Sequence, residues 1–154
     1  MVMFGMLFAM AQAGNNPLTK LYIENRGQVK DENGRNVNCA LFYNSGHNTQ
    51  LIVTTTGYTI VYRQTAFSGT VYNKIEFELN GASINKDNVV FITSKAADIN
   101  CYHGDQKQEG IKSTSTVLIR NIYPGIDWVW SFDATGKPKH EFMVNLGANA
   151  NQVK

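Results

Sequence analysis

The chain has 154 residues, close to one average domain, which argues against separate cofactor and substrate lobes. Hydrophobic residues make up 43% and charged residues 17%, enough apolar character for a core and less charge than the roughly 25% usual in soluble domains, so disorder and coiled coil are excluded. The formal net charge of +2, from 14 basic and 12 acidic residues, gives no field suited to nucleic acid or an anionic membrane. Asn, Thr, Gly, Tyr and Phe take the place of charge, and this mixture favours short strands and tight turns over helices.

Residues 1–10 form an uncharged apolar run, followed by Ala11, Gln12 and Ala13 as an A-x-A cleavage pattern ahead of Gly14. The segment reads as the end of a secretory signal peptide over residues 1–13, cut near Ala13. That places the mature domain, residues 14–154, outside the cell or at its surface. The run is far short of the roughly 20 apolar residues a membrane span requires, and no membrane insertion is expected.

Leu21, Tyr22 and Ile23 begin the first strand and run into the polar turn Glu24-Asn25-Arg26-Gly27-Gln28. A loop over 29–38 leads to a strand over 39–43. Strands over 51–55 and 58–63 flank Thr56-Gly57, the strongest hairpin signal in the chain. Over 71–79, Ile75, Phe77 and Leu79 alternate with Lys74, Glu76 and Glu78, which predicts one core face and one wet face. A short buried strand is expected over 89–92, and residues 96–110 read as loop with a strand around 99–102. Strands over 116–122, 126–132 and 140–146 complete the series, punctuated by Pro124-Gly125 and Thr135-Gly136. No window carries an i, i+3, i+4, i+7 apolar stripe, so the fold class is all-β, an antiparallel β-sandwich.

Cys39 and Cys101 are the two cysteines, readable as one disulfide of an exported domain or as two buried thiols. Cys101, His103 and Asp105 lack the further ligands that zinc needs, so no metal and no cofactor is expected. His47, His103 and His140 are isolated and read as surface or turn residues. Trp128, Trp130 and Phe132 share one strand face, which either stacks on sugar rings or fills the core; the core reading is preferred, since the other face offers only Asp127, Val129 and Ser131. Asp127 and Glu141 form the one carboxylate pair a glycosidase could use. No G-x-S-x-G, H-E-x-x-H or Cys/His nucleophile pattern accompanies them, so no catalytic residue is assigned and no enzyme is expected.

Four motifs stand out once these segments are placed: Ile23-Glu24-Asn25-Arg26-Gly27-Gln28, Gly57-Tyr58-Thr59-Ile60-Val61-Tyr62, Asn121-Ile122-Tyr123-Pro124-Gly125-Ile126-Asp127-Trp128, and Glu141-Phe142-Met143-Val144-Asn145-Leu146-Gly147-Ala148. In this set and order the chain, from Leu21 to Lys154, resembles an uncharacterised β-rich domain near the amino terminus of large exported bacterial proteins. There it precedes SBBP-type β-propeller repeats and, in many members, gliding-motility-type sorting modules. The stretch after Asn100-Cys101-Tyr102-His103-Gly104 departs from the family in lacking a Trp. The family usually continues into further strands, so the resemblance implies a domain truncated at its C-terminus, its downstream region missing.

The resemblance implies a non-catalytic structural or interaction module of a secreted or surface protein. Its partners would be the downstream propeller repeats and a surface glycan or protein, with no nucleic acid; the alternative is a carbohydrate-binding module using Trp128 and Trp130. Tyr123, Pro124, Gly125 and Asp127 read as a structural turn in which Pro124 fixes φ and Gly125 takes the left-handed position. Glu24, Asn25, Gly27 and Gln28 read as a lock on the start of the domain, with Arg26 paired to a carboxylate such as Asp127 or Glu141.

Overall fold

The computed structural model describes residues 20–154 apart from 32, 47, 68, 93–98 and 104–105. The expected signal segment lies outside the described residues, as do His47 and Asp105. The chain is all-β and its strand pairs are antiparallel: β1 (Tyr22–Glu24), β2 (Ala40–Ser45), β3 (Thr49–Thr54), β4 (Gly57–Ala66), β5 (Gly69–Glu78), β6 (Val89–Ile92), β7 (Ile99–His103), β8 (Gln106–Ile111), β9 (Ser113–Thr114), β10 (Thr116–Tyr123), β11 (Ile126–Phe132) and β12 (Pro138–Val144). A six-stranded sheet in the order β5-β4-β3-β2-β1-β9 lies against a four-stranded sheet in the order β12-β11-β10-β6, and β7 with β8 forms a separate hairpin.

Aromatic rings hold the two sheets together. From the first sheet Tyr22, Phe42 and Tyr58 point inward; from the second come Trp128, Trp130, Phe132 and Phe91. Tyr58 meets Trp130 edge-on at 5.2 Å between ring centres, Tyr22 stacks on Phe132 at 4.7 Å, and Phe42 meets Phe91 at 6.1 Å. Offset and edge-to-face contacts of this kind add about 0.5–1.5 kcal/mol per pair beyond the area they bury. Tyr22 is fully buried, yet its hydroxyl donates to the Ser131 carbonyl at 2.7 Å, tying the sheets together with a polar bond. Burial pushes its phenol well above the ordinary tyrosine range.

The first sheet buries both faces along β3. Leu51 and Val53 enter the central core, while Ile52 points the other way, to a smaller cluster with Val29, Ala40 and Val61. One extra residue of β2 between the Ala40–Thr54 and Phe42–Val53 pairs lets Ala40 join the outer cluster while Phe42 faces the core. Val29 and Val37, from the loop between β1 and β2, cover that outer face.

Three expectations are corrected. Ile75 and Phe77 share the inward face of their strand with Tyr58 and Ile60, yet they are 57% and 43% exposed, because β5 is the outermost strand of the wider sheet. The strand over 89–92 is a half-covered edge rather than a buried strand. Residues 106–110, read as loop, belong to a strand, Gln106–Ile111.

His140 is not a surface residue either. It is half-buried against Trp130, at 4.8 Å between ring centres, and its Nδ1 accepts the Trp128 Nε1–H at 3.1 Å. Burial holds its imidazole below the ordinary value of 6.5.

Two outcomes follow for stability. Trp130→Ala empties the centre of the aromatic layer and is expected to cost about 3–5 kcal/mol in urea unfolding, a large share of a small domain's total. Because the native imidazole resists a proton that the unfolded chain accepts, stability declines as pH falls through 6.5. The urea midpoint of the wild type should drop between about pH 7.5 and about pH 5.5, and the drop should shrink in His140→Gln. Equal pH slopes in the two proteins would show that His140 is freely solvated.

Candidate functional site

The first motif sits where the two sheets part. Glu24 closes β1 with a carboxylate only 11% exposed, and its Oε2 receives Arg26 Nε at 2.9 Å and Nη2 at 2.8 Å. Arg26 therefore pairs two residues away, which corrects the expected partners Asp127 and Glu141. A strand that ends at Glu24 and turns at once brings this arginine back over its neighbour, and its Nη1 also reaches the Glu109 carbonyl of β8 at 3.3 Å.

Asn25 does the work of a turn. Its Oδ1 accepts the Gly27 and Val29 amides, both at 3.1 Å, and its Nδ2 donates to the Ala40 carbonyl at 2.9 Å. Gly27 follows with φ of +104°, a conformation that a side chain resists. Gln28 Oε1 accepts the Arg26 amide. The motif thus bonds largely to itself, and Asn25 ties it to β2.

Beside the motif lies a cleft of about 430 Å³, between the β1–β2 side of the first sheet and the edge strand β6 of the second. Leu41, Val89 and Phe91 form an apolar floor, and Asn36, Asn38 and Asn85 supply amides at the wall. The charged side chains on its wall are Arg26, Lys86 and Lys112 against Glu24, so the cleft is net basic. Lys86 and Lys112 were not legible in the sequence. The 3-10 turn Lys86–Asn88, capped by Asn85 Oδ1 on the Asp87 amide at 2.9 Å, carries the first, and the link between β8 and β9 carries the second.

The third and fourth motifs meet at the β10–β11 turn of the second sheet. Gly125, with φ of +72° after Pro124, gives the tight β10–β11 turn that a Pro-Gly pair encodes. Two residues of β10 bulge out between the Ile119–Trp128 and Tyr123–Ile126 pairs, leaving Asn121 at φ of +49°, and Asp127 accepts its amide at 2.7 Å. Gly125 also receives the Asn145 amide at its carbonyl, at 2.9 Å, and a Cβ added there would meet the Ala148 side chain at 2.8 Å. Asp127 is thus a local lock, as its position beside the turn suggested. Tyr123 is buried and its hydroxyl donates to the Asn80 carbonyl at 2.9 Å.

Trp128 and Trp130 are 0% and 1% exposed, the core position preferred for them from the sequence, and the sugar-stacking alternative does not hold for either ring. Asp127 and Glu141 stand opposite Met143 and Val129, making them diagonal neighbours on the outer face of the second sheet. There Glu141 is exposed and bonded to Lys139 at 2.9 Å, and neither carboxylate lines the cleft. Cys39 is a free, exposed thiol, so it does not form the disulfide considered for it; the side chains of Cys101 and His103 lie outside the described residues. Among the described residues no group of three or more His, Cys, Asp or Glu side chains gathers as a metal site would require.

Asn25→Ala removes three hydrogen bonds at the start of the domain. At roughly 0.5–1.5 kcal/mol each, the expected loss is about 2–3 kcal/mol in chemical denaturation. A loss below about 0.5 kcal/mol would mean that water replaces the side chain and that the motif does not hold the turn.

The comparison with known proteins follows the same span as the fold. A family model described as a domain of unknown function, DUF7948, matches residues 22–154, from the first residue of β1 to the end of the chain. No curated protein and no solved structure matches. The chain belongs to the DUF7948 family of domains of unknown function.

Proposed function

We propose that this domain is a non-catalytic interaction module of an exported bacterial protein held at the cell surface, standing ahead of β-propeller repeats in the same polypeptide. One observation carries the reading: the polar side chains of the first and third motifs are engaged in folding turns, not gathered around a reacting centre. Asn25 bonds two amides and a carbonyl, Glu24 holds Arg26, and Asp127 closes a bulge. What faces solvent beside them is a cleft of amides and ammonium groups over an apolar floor, a surface chemistry suited to receiving a polar or acidic partner. The signal-like segment at residues 1–13 and the low charge content support export.

Protease shaving of intact cells that carry the parent protein tests the placement, with an antibody against this domain as readout. The reading expects the domain signal to be lost when protease is added outside the cells, while a cytoplasmic control survives. A domain signal that persists until the cells are lysed would overturn it.

A further inference from the structure

The edge strand β5 offers a surface that the cleft and the motifs do not use. It is ten residues long, contains no proline, and is the last strand of its sheet, so its outer edge has no partner strand among the described residues. The backbone on that edge has a defined phase. Leu79 N–H donates to the Thr56 carbonyl at 2.9 Å, and ladder bonds in an antiparallel pair recur at every second residue. Residues 71, 73, 75 and 77 therefore bond β4, and the amides and carbonyls of Thr70, Tyr72, Lys74, Glu76 and Glu78 point outward.

The side chains add both attraction and register. On the inward face Val71, Ile75 and Phe77 are 55%, 57% and 43% exposed, an apolar row beyond the reach of the second sheet. On the opposite face Lys74 and Glu76 stand one on each side of Ile75 in the alternation, and they pair with each other within the strand. Long edges with exposed apolar side chains recruit other strands, and a pairing that repeats the same patch on both partners closes as a two-fold dimer.

We infer that two copies of this chain associate through β5, antiparallel, with the two-fold axis passing between the two Ile75 residues. In this register Lys74 of each copy lies directly opposite Glu76 of the other, giving two opposite-charge pairs, while Ile75 packs on Ile75 and Phe77 lies opposite Asn73. Centring the axis on residue 74 sets Lys74 against itself, on residue 76 sets Glu76 against itself at the axis between two Lys74–Glu78 pairs, and on residue 77 sets Glu76 against Glu78, so each of these carries a like-charge contact that the Ile75 register lacks. Centring it on residue 73 leaves both carboxylates and the ammonium without an opposite charge. Ile75 is thus the centre that charge selects among those neighbouring registers, and the outward amides of Lys74 and Glu76 bond each other's strands there.

Sedimentation equilibrium on the full chain tests this, using Lys74→Glu, Glu76→Lys, the double exchange, and an equimolar mixture of the two single variants. The wild type should sediment at twice its 17.2 kDa chain mass. Each single variant places two like-charge pairs across the axis and should weaken the dimer about tenfold or more, with an unchanged circular dichroism spectrum because both positions lie on the sheet edge. The double exchange and the mixture of single variants should both restore it. The mixture is decisive, since it restores the cross-strand pairs while each chain keeps like charges at positions 74 and 76. A monomeric wild type, a dimer indifferent to the single exchanges, or a mixture that stays dissociated would each overturn the inference.

Discussion

Two sheets of unequal width are held in register by rings that interleave between them, and the rest of the molecule is arranged around that layer. Tyr58 reaches from the first sheet to Trp128, Trp130 and His140, while Tyr22 and Phe42 reach Trp130 from strands further across the same sheet. Rings this large fill the roughly 10 Å between stacked sheets with few side chains, and their preferred tilts restrict how the sheets can slide. The layer also dictates the polar chemistry near it. Trp128 needs an acceptor for its N–H, His140 provides one, and burial beside the rings holds that imidazole below its ordinary value.

Turn chemistry completes what the rings begin. Each turn of the second sheet is closed by a carboxylate or a glycine: Asp127 holds the bulge at Asn121, and Gly125 makes room for Ala148. Asp133 gathers the Thr135 hydroxyl and the Lys137 amide in the β11–β12 turn, which keeps its carboxyl below the ordinary aspartate range. The third and fourth sequence motifs, about twenty residues apart, are thus two sides of one contact. The first motif does similar work at the other sheet, and the cleft beside it exists because Asn25 and Gly27 turn the chain away from β6 and back to β2.

Much of this was legible in the residues. Alternation in β11 assigned Trp128 and Trp130 to one face, and burial of two indoles on a strand opposite a weakly polar face follows from the area they hide. The Pro124-Gly125 turn was legible because only glycine takes the left-handed position cheaply. Alternation in β5 correctly separated Ile75 and Phe77 from Lys74 and Glu76, but the width of the opposing sheet decides whether an inward face is covered, and no local pattern encodes that width. Gln106–Ile111 has one strongly apolar residue and becomes a strand by pairing with β7. The cleft was not legible either: Arg26, Lys86 and Lys112 come from distant segments that only the fold assembles.

The central claim, that the two layers close around a buried aromatic sheet, has a direct optical readout, because Trp128 and Trp130 are the two tryptophans of the chain. Acrylamide quenching of tryptophan emission compares the native protein with the same protein in concentrated urea. The account predicts blue-shifted native emission that the quencher barely reaches, with red-shifted and readily quenched emission only after unfolding. Native indoles quenched as efficiently as unfolded ones would contradict it.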